Sequence, residues 1–191
     1  MEISLFRHFA TAGNLEKRYI GTTDEPILTV KKGKEIPKAE IVFVSPMRRC
    51  RETADILYPS VRKMVCEDFR ECDFGAFEGK NYLELTGNPD YQAWIDSGGI
   101  LPFPGGESME SFCRRTRTAF ELVVQKLAES QIQKAAIVAH GGTVMALLSA
   151  YAVPEKSYYE WNCGNGCGYR IRILEELWKT GKKQCKVEEE L

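Results

Sequence analysis

At 191 residues, with 43% hydrophobic and 28% charged side chains, the chain has the size and balance of one ordinary globular domain, residues 1–191. A formal net charge of −1 excludes a global field that would gather nucleic acid or an anionic membrane, so affinity for phosphate has to come from a local cluster of arginines. No window approaches the roughly 18 apolar residues of a membrane helix, MEISLFRHF is too short and lacks the basic flank of a signal segment, and seven scattered cysteines read as reduced thiols of a cytoplasmic protein.

Ile3 to Phe6 reads as the first strand. Gly13, Gly21, Pro26, Gly33 and Pro37 then follow too closely for a long helix. IVFV, Ile41 to Val44, is a β-branched and aromatic run suited to a strand buried on both faces. The next helix has Ser45 as its expected N-cap, Pro46 in its first position, and an apolar stripe of Met47, Cys50, Ala54 and Leu57. Arg48, Arg49 and Arg51 fall in its first turns, where a helix start already favours anions, and one of them is expected to enter a site.

Lys63 to Cys66 is a weak strand, followed by FRECDFGAFEGK with the carboxylates Glu71, Asp73 and Glu78 among aromatics. A carboxyl group beside apolar rings can have its pKa raised enough to act as a general acid, whereas Asp73 reads as a loop salt-bridge partner. Asn88-Pro89 caps a short helix that Gly98-Gly99 ends, and ILPFPGGES forms a wall or lid. From Ser108 a long helix runs to about Ser130, with Met109, Phe112, Ala119, Val123 and Leu127 inward and Arg114, Arg115 and Arg117 on a solvated face. Ala135 to Ala139 is a strand, Gly141-Gly142 open a helix that Pro154 stops, and Tyr169 to Ile173 alternates as a half-buried strand. A last short strand is expected near Cys185 to Val187, with a frayed EEEL end. Cys163 and Cys167 flank a Gly-Asn-Gly turn, but both histidines lie elsewhere, so no metal site is expected.

The chain has only two histidines, and each follows a short apolar run: His8 after ISLFR and His140 after AAIVA. In an open parallel α/β sheet, ligands gather at the carboxyl ends of strands. Two histidines in that position, one beside an arginine and one before a glycine pair, point to one shared catalytic pocket.

These residues resemble the histidine phosphatase superfamily, the phosphoglycerate mutase-like fold. RHFATAGN is similar to its Arg-His-Gly-x-Thr-x-x-Asn motif, SPMRRCRETA to its Ser-Pro-x-x-Arg-x-x-x-Thr-Ala segment, FRECDFGAFEG to its Arg-Glu-x-x-x-Gly-x-x-Glu-Gly loop, PGGES to its Gly-Glu-Ser loop, and AHGG to its second histidine. NLEKRYIGTTDEPIL looks most like the α-ribazole phosphatase and cofactor-dependent phosphoglycerate mutase branches. The resemblance implies a three-layer α/β/α sandwich on a mostly parallel sheet and a metal-independent phosphomonoesterase that needs no cofactor. His8 would be the nucleophile and Glu71 the proton donor. Arg7, Arg49 and His140 would bind the phosphoryl oxygens, with Asn14, Gly21 and Gly141 lining the pocket. The implied partner is a small phosphorylated metabolite, α-ribazole 5′-phosphate being one candidate, with phosphate as product and no nucleic acid or membrane; a homodimer is left open.

Phosphoryl transfer asks for the same parts. An imidazole attacks only through an unprotonated nitrogen, so its other nitrogen must hold the proton and be anchored. Positive charge around the equatorial oxygens is expected from two guanidinium forks and a protonated His140. Phe9 and Ala10 depart from the motif, which has glycine and usually Glu or Gln there. A ring at position 9 threatens to narrow the phosphate pocket, which keeps two alternatives in view: mutase-type phosphoryl transfer, and a phospho-ligand-binding protein without turnover.

Overall fold

The computed structural model describes residues 1–28, 30 and 35–191. Gly33, one of the residues spaced too closely for a long helix, lies outside them. In chain order the elements are β1 (Glu2–Arg7), α1 (Ala12–Leu15), β2 (Ile41–Val44), α2 (Arg48–Leu57), β3 (Lys63–Val65), α3 (Pro89–Asp96), α4 (Met109–Glu129), β4 (Lys134–Ala139), α5 (Gly141–Tyr151), β5 (Ala152–Val153), β6 (Gly168–Ile173), α6 (Glu175–Lys179) and β7 (Cys185–Glu190).

The strands form one sheet in the order β3-β2-β4-β1-β6-β7-β5. The pairs β1–β4, β2–β4, β2–β3 and β5–β7 are parallel, and β6 alone runs against its neighbours. The slot between β1 and β2 is filled only later by β4, so residues far apart in sequence meet at one sheet edge.

Alternation along the strands feeds both faces. Ile3, Leu5, Ile41, Phe43, Ile137 and Ile171 pack on one side with Phe120, Val123, Leu127, Val144 and Leu147 of α4 and α5. On the other side Phe6, Val42, Val44, Ala136 and Val138 meet Cys50, Ala54 and Tyr58 of the α2 region. Helices therefore cover both faces of a mostly parallel sheet, the α/β/α arrangement the resemblance implies. Among the described residues, no helix is long and apolar enough to cross a membrane.

Local signals hold where their partners are close in sequence. Asn88 Oδ1 accepts the N–H groups of Asp90 and Tyr91 at 2.9 and 3.1 Å, and Gly98 and Gly99 leave the helix at φ 69° and 79°, a conformation that favours glycine. Ser108 caps α4 by accepting from Ser111 N–H at 3.1 Å.

Three expectations are corrected by partners distant in sequence. The helix expected from Pro46 starts at Arg48, with Met47 as its N-cap; Ser45 has a different partner, described below. The EEEL end is not frayed: β7 reaches Glu190, and Leu191 N–H donates to Gly168 O at 2.9 Å. Arg170 and Arg172 of β6 draw that acidic tail into the sheet, with Arg172 Nε 2.7 Å from Glu188 Oε1 and Arg170 Nε 3.2 Å from Glu189 Oε1. Nor are the α4 arginines all solvated. Arg114 and Arg117 are exposed, whereas Arg115 forks onto Glu107 at 2.7 and 2.8 Å and donates to the carbonyls of Asp68, Arg70 and Glu71 at 2.8–2.9 Å.

The Arg115 and Glu107 side chains are only 12% and 14% exposed, so removing one strands the other in a poorly solvated place. Arg115→Met is expected to lower the unfolding free energy by about 3 kcal/mol, or roughly 6–12 °C in Tm. Arg117→Met, on the exposed face, should stay within about 0.5 kcal/mol. Equal melting temperatures for the two variants in a thermal scan would contradict this account of Arg115.

Candidate active site

Strand register builds the site. Arg7 of β1 lies opposite Ala139 of β4, and Val44 of β2 opposite Val138. The next residues of the three strands, His8, His140 and Ser45, therefore emerge side by side. Backbone bonds from His8 N–H to Ala139 O at 2.9 Å and from Ser45 N–H to Val138 O at 3.0 Å hold them there. The imidazoles of His8 and His140 stand edge to face, with ring centroids 5.2 Å apart.

His8 is 4% exposed, and its Nδ1 lies 2.7 Å from Phe9 O. A carbonyl only accepts, so Nδ1 carries the proton and Nε2 keeps a free lone pair. Burial, then the charge of Arg49, lowers the His8 pKa to about 3 despite the bond to Phe9, so the ring is neutral across the physiological range. That is the state nucleophilic attack requires.

His140 is fully buried, with Nε2 2.7 Å from Ser45 Oγ. Ser45, expected to cap α2, instead serves this histidine, while Cys50 Sγ packs 3.5 Å from the same nitrogen. Burial, with the charge of Arg49 and the proximity of His8, holds the His140 pKa well below the ordinary value. In the free site His140 is thus neutral, because a further positive charge would sit buried against Arg49.

Arg49 is the arginine of the α2 cluster that turns inward, at 0% exposure, while Arg48 and Arg51 stay outside. Its Nη1 donates to Thr23 O at 2.7 Å, and its Nη2 to Gly21 O at 2.9 Å and Ile20 O at 3.3 Å. Arg7 Nη1 donates to Cys163 O at 2.7 Å. In both arginines Nε is buried with no partner among the described residues. Two guanidinium charges close enough to depress the His8 pKa suit an anion with several acceptor oxygens.

Glu71 lies across from them. Its Oε1 accepts Cys72 N–H at 3.0 Å and its Oε2 accepts Gly142 N–H at 3.3 Å. A side chain at Gly142 would begin 2.4 Å from Glu71 Oε1, so only glycine admits the carboxyl this close. Burial raises the Glu71 pKa against those bonds and the pull of Arg49. With Arg7 and Gly141, Glu71 lines a cavity of about 220 Å³ whose remaining wall is largely aromatic.

The other expected residues act as framework. Gly21 carries the carbonyl that anchors Arg49, and its own N–H is held by Glu78 at 2.9 Å; a Cβ there would fall 2.0 Å from Cys72 O. Asn14 Oδ1 accepts from Asn165 Nδ2 at 3.0 Å, and that amide also donates to His8 O at 3.2 Å. Gly141 backs onto Arg7, with room for a Cβ only 3.3 Å from its Nε. Asp73 makes no salt bridge among the described residues and instead accepts Gly75 N–H at 2.9 Å. Ser45, Asn165 and Arg115 went unnoticed as site supports because each reaches its partner across the fold. The ring of Phe9 does not narrow the cavity: it packs over Gly166 and lines a separate pocket with Phe6, Ile36 and Leu57.

A family model for the histidine phosphatase superfamily (branch 1) matches residues 3–185. The chain belongs to that superfamily. "Putative phosphoserine phosphatase 2" of Hydrogenobacter thermophilus is 37% identical over 117 residues, which span 58% of this chain and 55% of that protein. "Uncharacterized phosphatase PhoE" of Bacillus subtilis is 27% identical over 93% of this chain and 91% of its own. The crystal structure of the alpha-ribazole phosphatase from Shigella flexneri superposes with a TM-score of 0.78 at 20% identity, covering 98% of this chain and 95% of that one, a likeness of fold.

For this histidine phosphatase superfamily member, two histidines make the protonation states directly readable. The His8 imidazole resonances should remain those of a neutral Nδ1–H tautomer from pH 8 down to pH 5, because the lowered pKa places charging far below that window. An NMR titration with a midpoint near the ordinary value of about 6.5 would contradict the described environment.

Proposed function

We propose that the protein is a metal-independent phosphomonoesterase acting on a small phosphorylated metabolite through a phosphohistidine at His8. The observation that carries this reading is the bond from His8 Nδ1–H to Phe9 O, which leaves a neutral ring with Nε2 free, within reach of the charges of Arg49 and Arg7.

In this reading Nε2 of His8 attacks phosphorus, the N–P bond forms and the ester P–O bond breaks. The carboxylic proton of Glu71 passes to the leaving oxygen, a contribution worth roughly 10²–10⁴-fold. Water then attacks phosphorus while Glu71, now a carboxylate, takes its proton, and the N–P electron pair returns to His8 as phosphate departs. Arg7 and Arg49 hold the equatorial oxygens throughout. A dianionic phosphoryl group is the opposite charge that raises an imidazole pKa, so His140, neutral beforehand, takes up a proton as the group arrives and donates to it. Of the family's substrates, α-ribazole 5′-phosphate is the finer candidate, supported by the RYIGTTDEPI stretch and by the fold of the Shigella alpha-ribazole phosphatase.

The packing of Phe9 over Gly166 supports turnover over a binding protein without it, and hydrolysis rather than transfer separates the phosphatase from a mutase. With EDTA present, p-nitrophenyl phosphate should be hydrolysed by the wild type and not by His8→Ala. Glu71→Gln should slow alkyl phosphates by about 10²–10⁴-fold, and p-nitrophenyl phosphate much less, since that leaving group needs little help from an acid. Because the acid must be protonated to act, wild-type turnover falls as pH rises through the raised Glu71 pKa, and Glu71→Gln loses that limb. Hydrolysis that survives in purified His8→Ala would refute the nucleophile.

A further inference from the structure

The cavity above Arg7 and Glu71 says more about the part of the ester that leaves. Six aromatic side chains, Tyr19, Phe74, Trp94, Phe103, Tyr158 and Tyr159, line it together with Met109 and Met145. The rings brace one another: Phe74 and Phe103 meet edge to face at 5.0 Å, Tyr19 and Phe74 at 5.2 Å, and Trp94 lies 5.2 Å from Phe103. Two of the hydroxyls are turned to protein partners, Tyr158 donating to Gly142 O at 3.3 Å and Tyr19 meeting the Tyr91 hydroxyl at 3.3 Å. Tyr159 and Asn162 add a small polar share to a wall that is otherwise mostly rings, methionines and backbone.

Charge in the same wall is sparse. Among the described lining residues the only cation is Arg7, whose task is the phosphoryl group, and the only acid is Glu71. A leaving group that carries its own carboxylate would lose water against methionine and aromatic rings with no second cation to receive it, which is strongly unfavourable. An uncharged ring meets edge and face partners already in place. The volume of about 220 Å³ exceeds the roughly 150 Å³ apolar cavity that accepts a benzene.

We infer that this site selects phosphoesters whose leaving group is uncharged and carries an aromatic face, and rejects esters of hydroxy acids and amino acids. The inference rests on the phosphoesterase reading of the same cavity and sharpens its substrate class. Trp94 and Phe103 are the specificity-determining residues, and they act on the leaving group rather than on phosphorus.

The test compares kcat/KM for 2-phenylethyl phosphate, ethyl phosphate and O-phospho-L-serine, primary esters whose alcohols differ in the ring and in the charged carboxylate and ammonium groups of serine. The expected order is 2-phenylethyl, ethyl, phosphoserine, with about 10²-fold or more between first and last. Trp94→Ala should shrink that ratio by about tenfold, mainly through KM. Met109→Lys, which places a cation in the same wall and does not depend on Trp94→Ala folding, should raise phosphoserine relative to 2-phenylethyl phosphate. Phosphoserine turned over as well as the phenylethyl ester, or a ratio unmoved in both variants, would overturn the inference and leave the phosphatase reading standing. Failure to hydrolyse any ester, p-nitrophenyl phosphate included, would sink that reading and the inference with it.

Discussion

Everything chemical in this protein depends on the parallel pairing of β1 with β4, in the register that sets Arg7 opposite Ala139. Pairing fixes which residues leave the sheet together, and here it delivers the two histidines of the chain into edge-to-face contact. A slip of one residue would turn Arg7 and the apolar positions of β1 onto the wrong faces. The buried alternation of Ile3, Leu5 and Phe6 against two separate cores makes such a slip expensive. The hydrophobic layers thus hold the site to its geometry.

The price of that geometry is burial of polar groups. His8, Arg49 and His140 have almost no exposure, and each is held by carbonyl or hydroxyl partners: Phe9 O, three carbonyls of residues 20–23, and Ser45 Oγ. Such placement keeps both imidazoles neutral beside two guanidinium charges, a site suited to an anion. The same logic reaches outward through Arg115, which ties Glu107 to the carbonyls around Glu71. The glycines serve close approach: Gly21 and Gly142 leave no room for a side chain.

Much of this was legible in the sequence because its signals are local. Apolar runs ending in histidine, the Asn88-Pro89 and Ser108 caps and the glycine pairs act within a few residues. What stayed hidden depends on partners across the fold. Ser45 looks like a cap until β2 and β4 are seen side by side. An acidic tail looks frayed until Arg170 and Arg172 stand beside it, and Arg115 looks solvated until the 68–71 segment lies under α4. Phe9 seemed to threaten the pocket because a motif specifies a residue type but not its direction; the ring turns away over Gly166, and its carbonyl does the work of orienting His8.

The most direct test of the account is mass spectrometry of the protein quenched during turnover of p-nitrophenyl phosphate, under neutral conditions that spare a phosphorus–nitrogen bond. The account predicts one added phosphoryl group, mapped to the peptide containing His8 and absent in His8→Ala. A phosphoryl group on His140 or on a hydroxyl would contradict it.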